Sequence, residues 1–223
     1  MTILPSAVSL RKYIDYVQPQ ENVGCCTSCA VLLAAEIISA IAGHKINFSR
    51  LYLYYMTRKA QNRLGQHGAE LKETLNALVE NGVPLDKSWP FTLHRVDIRP
   101  SRAAMEEAIS YRQFSYQILT PGDYKNYLNL GIPIIIGLKT GKLFWELSGE
   151  LSEQAYKPIN NKDNRESNGH AVTIIGYDDT LNGGSWIIAN SLGLRWGSQG
   201  FGAIPYICNN DICESYAITY LPK

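Results

Sequence analysis

An α+β fold is predicted by a change of pattern near the middle of the chain. Up to about residue 112 the apolar residues recur at helical spacing. From Phe114 onward they fall in short runs of strand length, parted by turn residues. No internal repeat or low-complexity tract interrupts either half.

Residues 26–42 read as a helix that is apolar almost all round, hence central and buried, and Gly43 stops it. Ser49 suits the N-cap of a second helix running to about Arg63. Leu71, Leu75, Leu78 and Val79 stand at i, i+4, i+7 and i+8, so a third, amphipathic helix ends before Gly82. Phe114–Leu119 reads as a strand, and Thr120-Pro121 starts a short helix ended by Gly131. Pro133–Leu138, His170–Tyr177, Ser185–Asn190, Gly200–Ile204 and Tyr216–Leu221 then read as strands of an antiparallel sheet. The connection from about Lys139 to Gly169 is long and polar, the kind of loop that borders function or moves.

With 223 residues, 45% hydrophobic and 18% charged, the chain can bury a substantial core as one unit or as two lobes sharing a cleft. A net charge of +1 without a Lys/Arg cluster argues against a nucleic-acid surface. The apolar run Leu32–Ala42 is too short to span a membrane and carries Glu36, expected to be a structural hydrogen-bonding carboxylate. No basic-then-apolar leader opens the sequence, and five cysteines leave at least one thiol free, so a reducing, cytoplasmic setting is expected. A Cys208–Cys213 bridge stays open.

The residues that carry chemistry are far apart in sequence. Gln20, Cys26, His170 and Asn190 are the side chains a thiol acyl-transfer enzyme needs as oxyanion donor, nucleophile, base and orienter. Cys26 stands in the first turn of its helix, where unsatisfied N–H groups and the helix dipole favour thiolate. His170 opens one apolar run and Asn190 closes another. Cys25 and Cys29 read as core packing, and His44, His67 and His94 as surface residues.

At these positions the sequence resembles the papain-like (C1) cysteine peptidases, nearly end to end and closest to their prokaryotic branch. Val17 to Ala30 resembles the family's Gln…Gly-Ser-Cys stretch, with Gly24-Cys25-Cys26 in the last three places. Asn168-Gly169-His170-Ala171-Val172 resembles its histidine motif. Asn190-Ser191-Leu192-Gly193-Leu194-Arg195-Trp196-Gly197 resembles its Asn-Ser-Trp-Gly-x-x-Trp-Gly. Leu192 departs from the family's Trp, which shields the Asn–His hydrogen bond. The cysteine that the secreted branch uses for a disulfide is replaced near Val23.

The resemblance implies one catalytic domain over residues 1–223, with a helical lobe (about 16–112) facing a β lobe (about 113–223 plus 1–15) across the active-site cleft. It implies peptide-bond hydrolysis by a Cys26-His170-Asn190 triad through a thioester, with Gln20 and the Cys26 N–H holding the oxyanion. Peptide or protein substrates are implied, with the activity either tolerated in its compartment, restrained by a prosegment missing from this sequence, or restrained by a separate proteinaceous inhibitor. No metal or organic cofactor is implied. Gly68-Ala69 resembles the family's backbone clamp for substrate, followed by Glu70; Gly137 matches the opposing pocket wall, with Ala171 at its side. A carboxylate at that mouth would favour Lys or Arg, unless Glu70 merely serves its own helix end.

Two other classes compete. Cys26-Thr27-Ser28-Cys29 is a C-x-x-C at a helix start, as in dithiol oxidoreductases, but no buried strand precedes it. A zinc site is disfavoured because three neighbouring thiols on one helix cannot converge tetrahedrally. With Leu192 in the shielding position, a non-catalytic papain-like binding module is the second alternative.

Overall fold

The computed structural model describes residues 4–151, 156, 158–159 and 166–220, without the side chains of 166 and 167. Its spine is α1 (Cys26–Ile41). Val31, Leu32, Ala34 and Ala35 of α1 pack into a core shared with α2 (Arg50–Ala60) and α3 (Leu71–Asn81), whereas Leu33 and Ile37 turn to the core of the sheet. That double duty is why this helix is apolar on nearly every face. Gly43, at φ 89°, lets the chain reverse, and the N–H of His44 returns to Ser39 O at 2.8 Å.

Ser49 caps α2 by accepting from Tyr52 N at 3.1 Å, as its sequence position suggests. The helix closes at Ala60, short of Arg63, because Asn62 takes a left-handed φ of 55° and Arg63 N–H folds back to Arg58 O. α3 ends at Gly82, at φ 68°. A helix absent from the sequence reading, α4 (Arg102–Ser110), is capped by Ser101.

Among the described residues, seven strands form one antiparallel sheet: β1 (Ala7–Ser9), β2 (Phe114–Ile118), β3 (Ile134–Gly141), β4 (Glu166–Asp178), β5 (Ser185–Ala189), β6 (Phe201–Pro205) and β7 (Ile212–Tyr220). The order is β2-β7-β3-β4-β5-β6, with β1 on β4. Three sequence expectations need correction. The stretch expected as one long loop, 139–169, begins and ends in strand: Lys139 pairs with Gly169 and Gly141 with Glu166, and α6 (Lys142–Trp145) follows β3 directly. Its polar residues obscured the ladder. The helix expected at Thr120 starts at Tyr124 as α5 (Tyr124–Asn129), because Thr120 is held in a turn by Asp123, whose Oδ2 accepts from its N–H and hydroxyl. β7 begins at Ile212, four residues before Tyr216, so Glu214 lies in the ladder opposite Gly137. The end of that predicted strand, Leu221, lies outside the described residues.

A hydrogen bond from Thr173 Oγ1 to Ala30 O at 2.9 Å ties the lobes, and one from Thr74 Oγ1 to Thr27 Oγ1 at 3.0 Å ties α3 to α1 within the helical side. Arg58, 1% exposed, secures the loop after α2. Its Nη1 donates to Gln66 O (3.1 Å) and Asp97 Oδ1 (2.7 Å), its Nη2 to Val96 O (2.5 Å), and its guanidinium lies 3.9 Å from the centre of the Tyr54 ring. The Tyr54 hydroxyl then accepts from Gly68 N at 3.1 Å. Among the described residues no helix is long and apolar enough to cross a membrane.

Candidate active site

Cys26 is the first residue of α1, and Cys25 is its N-cap position. The approach to it is sharply constrained. A Cβ on Gly24 would lie 2.7 Å from Gly68 N, so the loop before the thiol and the loop before α3 meet backbone to backbone. Across the cleft, β4 presents His170 in mid-strand, paired with Leu138 of β3, rather than at a strand start. His170 Nε2 lies 2.7 Å from Asn190 Oδ1 just beyond β5, and that oxygen also accepts from Ser191 N at 2.8 Å. Both His170 and Asn190 are buried. With Nε2 engaged, Nδ1 is the ring nitrogen left for chemistry.

Aromatic cover over the imidazole comes from an unexpected place. Leu192 packs into the sheet core, while Phe144 and Trp145 of α6 set ring edges against His170, with centroids 5.6 and 5.1 Å away. The indole absent from position 192 is thus matched by one from α6. Reading that segment as a loop hid it.

Gln20 is anchored more firmly than its motif suggests. Its Nε2 donates to Val23 O at 3.1 Å, and its Oε1 accepts from Ser191 Oγ at 2.7 Å. Gln20 N also donates to Ser191 O at 2.8 Å, so Ser191, a motif residue to which the sequence assigns no role, joins the glutamine loop to the asparagine. One amide N–H of Gln20 remains for a ligand.

A cleft of about 480 Å³ joins Cys26, Ala69, Glu70, Gly137, His170 and Ala171. It also takes in Glu214 and the exposed Cys213. A Cβ on Gly137 would meet Glu214 Cγ at 2.8 Å, so the glycine opens room that the glutamate fills. Tyr216 OH donates to Glu214 Oε2 at 2.7 Å and fixes it. Glu70 occupies the N-cap position of α3 but makes no capping hydrogen bond, leaving its exposed carboxylate to the cleft. Gly68 does not itself line this cleft; it is the strut-held residue behind Ala69.

The electrostatics correct one expectation. Burial pushes the Cys26 thiol above its ordinary value, outweighing N–H contacts from Ala171, Thr27 and its own backbone. Burial also pulls His170 down to about 4, against the Asn190 hydrogen bond. At rest both groups are neutral near pH 7, so the helix start alone does not produce a thiolate. All five cysteines are free, and Cys208 and Cys213 are not bridged. Glu36 accepts from Phe48 N at 2.8 Å and is pushed up to about 8, chiefly by burial.

The low value of His170 has a stability consequence. As pH falls from about 6.5 toward about 4, the unfolded chain gains a proton that the folded one refuses. Stability contributed by the neutral imidazole is present above 6.5 and is lost across that window, by about 3 kcal/mol. His170→Gln should flatten this limb in a Tm-versus-pH series. Parallel curves for the two proteins would mean that the imidazole charges freely in the fold.

Comparison with known proteins agrees with this architecture. The profile described as papain family cysteine protease matches residues 4–219. The chain is 25% identical over 222 residues to an uncharacterized peptidase C1-like protein of Acanthamoeba polyphaga mimivirus, covering 92% of this chain and 70% of that one. It is 27% identical over 220 residues to Peptidase 1 of Dermatophagoides farinae, covering 96% of this chain and 64% of that one, so it spans less than two thirds of the mite protein. Among solved structures, xylellain, a cysteine protease from Xylella fastidiosa, superposes with a TM-score of 0.87 at 25% identity, covering 99% of this chain and 88% of that one. The chain therefore belongs to the papain family of cysteine proteases, with the family's two-lobed α+β fold.

Proposed function

We propose that the protein hydrolyses peptide bonds with Cys26 as nucleophile, His170 as general base and acid, and Asn190 as orienter. The supporting observation is the His170 Nε2–Asn190 Oδ1 hydrogen bond of 2.7 Å beside a cleft that holds Cys26. Because the resting pair is neutral, His170 takes the thiol proton as sulfur attacks the carbonyl, rather than beforehand. The Cys26 N–H and the spare Gln20 N–H would receive the oxyanion. His170 then protonates the leaving amine, and water hydrolyses the thioester with His170 as base.

The free thiols fit a reducing, cytoplasmic setting, and a prosegment or a proteinaceous inhibitor would occupy the same cleft as substrate. Labelling with a vinyl sulfone, followed by peptide mapping, tests the assignment: the adduct should sit on Cys26. An adduct confined to Cys213, with no peptide cleaved, would favour the second reading, a catalytically weak binding module. Leu192, standing where the family has its shielding Trp, is the feature that speaks for that reading.

Two carboxylates, Glu70 and Glu214, border the pocket beside Ala69, Gly137 and Ala171, so a basic side chain two residues before the scissile bond should be accepted. In Glu70→Gln or Glu214→Gln, the Arg-to-Leu ratio of kcat/KM at that position should fall by up to about fivefold per charge. An unchanged ratio in both variants would remove charge pairing from the account of selectivity.

A further inference from the structure

The nucleophile is flanked by two thiols that the peptidase mechanism does not use. Cys25 and Cys29 are both buried, at 0% and 9% exposure, and their Sγ atoms lie 3.8 Å apart. Cys29 also stands at i+3 from Cys26, on the neighbouring stripe of the helix, where side chains are within reach. Cys26 is the half-buried member at the cleft, the one a small oxidant meets first.

We propose that Cys25 and Cys29 form an internal reducing dithiol that restores Cys26 after oxidation by a hydroperoxide. The proposal rests on Cys26 being the nucleophile. His170 takes the Cys26 proton as the sulfur attacks the outer oxygen of a hydroperoxide; the O–O bond breaks, the sulfenic acid forms, and the alcohol or water leaves with the proton returned by His170. Cys29, as thiolate, attacks that sulfur; hydroxide leaves, takes a proton and departs as water, and a Cys26–Cys29 disulfide forms. Cys25, as thiolate, then attacks the Cys29 sulfur, the Cys26–Cys29 bond breaks, and Cys26 leaves as thiolate. The net change is one oxygen removed as water, Cys26 reduced, and Cys25 and Cys29 joined in a disulfide. A thiol reductant reopens that disulfide.

The surroundings favour this order. Cys29 is held below its ordinary value by the hydrogen bond from Cys25 and, next, by the positive charge of Arg50, so it is the first attacker. Cys25 is raised, first by its hydrogen bond to Cys29 and then by burial. Once Cys29 enters the mixed disulfide, its charge and its acceptor role disappear, and the main brake on Cys25 ionisation is released. A C-x-x-C spacing at a helix start, as at Cys26 and Cys29, admits the intermediate bond.

The test uses the reduced full chain, one equivalent of hydrogen peroxide, a peptide substrate and mass spectrometry. Trypsin leaves all three cysteines in the stretch from Tyr13 to Lys45, so fragmentation of that peptide places the bond. Wild type should keep most of its activity, lose about 2 Da and carry a Cys25–Cys29 disulfide. Cys25→Ala should stall as a Cys26–Cys29 disulfide, inactive until reductant is added. Cys29→Ala should lose activity several-fold faster than wild type and accumulate Cys26 sulfenic acid, which a second equivalent of peroxide carries to irreversible sulfinate. Equal inactivation of wild type and Cys29→Ala, or wild type without the Cys25–Cys29 bond, would overturn the proposal. If a variant fails to fold, the position of the bond in wild type decides alone. Before any peroxide is added, alkylation of Cys26 should abolish peptide cleavage; survival of cleavage there would instead sink the nucleophile assignment.

Discussion

Cys26→Ala is expected to lower kcat/KM for a peptide substrate by about 10⁵–10⁶-fold, since removing a nucleophile leaves only binding and the oxyanion site. Circular dichroism and Tm should hardly change, because the half-buried side chain shrinks by a single sulfur. Cys25→Ala and Cys29→Ala should keep activity within several-fold under reducing conditions, losing packing and weak thiol contacts: the one they share, that of Cys25 to Gln20 O, and those of Cys29 with Arg50 and Ser191. The contrast is what matters. If Cys29→Ala were dead and Cys26→Ala active, the nucleophile would have been assigned one turn too early.

Arg58→Met is expected to destabilise the fold by about 2–4 kcal/mol, which is the cost of breaking a buried charged network when one partner, Asp97, stays half-exposed. For a chain of this size that is a fall in Tm of roughly 5–15 °C. Methionine keeps most of the stem that packs on Tyr54, so the loss is that of the three hydrogen bonds and the ring contact. The loop from Asn62 to Gly68 should loosen, raising KM for peptides that lie along Ala69. The rate of Cys26 alkylation by iodoacetamide, which needs no clamp, should hold. Loss of alkylation together with binding would show that the whole helical side had melted instead. Asp97→Asn should cost less than Arg58→Met, since it leaves the arginine its two carbonyl partners.

How much could be read beforehand follows from the kind of signal each part carries. α1, α2 and α3 were legible because their apolar spacing and caps are local: Ser49 and Gly82 sit where the helices begin and end. The family and its fold were legible because the Gln20, Cys26, His170 and Asn190 motifs survive as short runs in order. What escaped is what only the third dimension assembles. Glu214 enters the cleft through a register across β3 and β7, and nothing near it in sequence marks it. Trp145 reaches His170 from a polar stretch whose strand pairing is not visible locally. The helix start of Cys26 is legible, but the burial that opposes its effect on the thiol is not, because burial is set by packing.

The contact of Gly24 with Gly68 divides the site into a part that can be redesigned and a part that cannot. Neither glycine touches the reacting atoms, yet any side chain at Gly24 would wedge the thiol loop away from the substrate edge. Gly68, at φ 79°, resists replacement for its own backbone reason. A library built to change what this enzyme cuts should therefore leave that seam untouched. Its diversity belongs at Glu70 and Glu214, where side chains, not backbone, shape the pocket, with Gly137 kept to leave room for position 214.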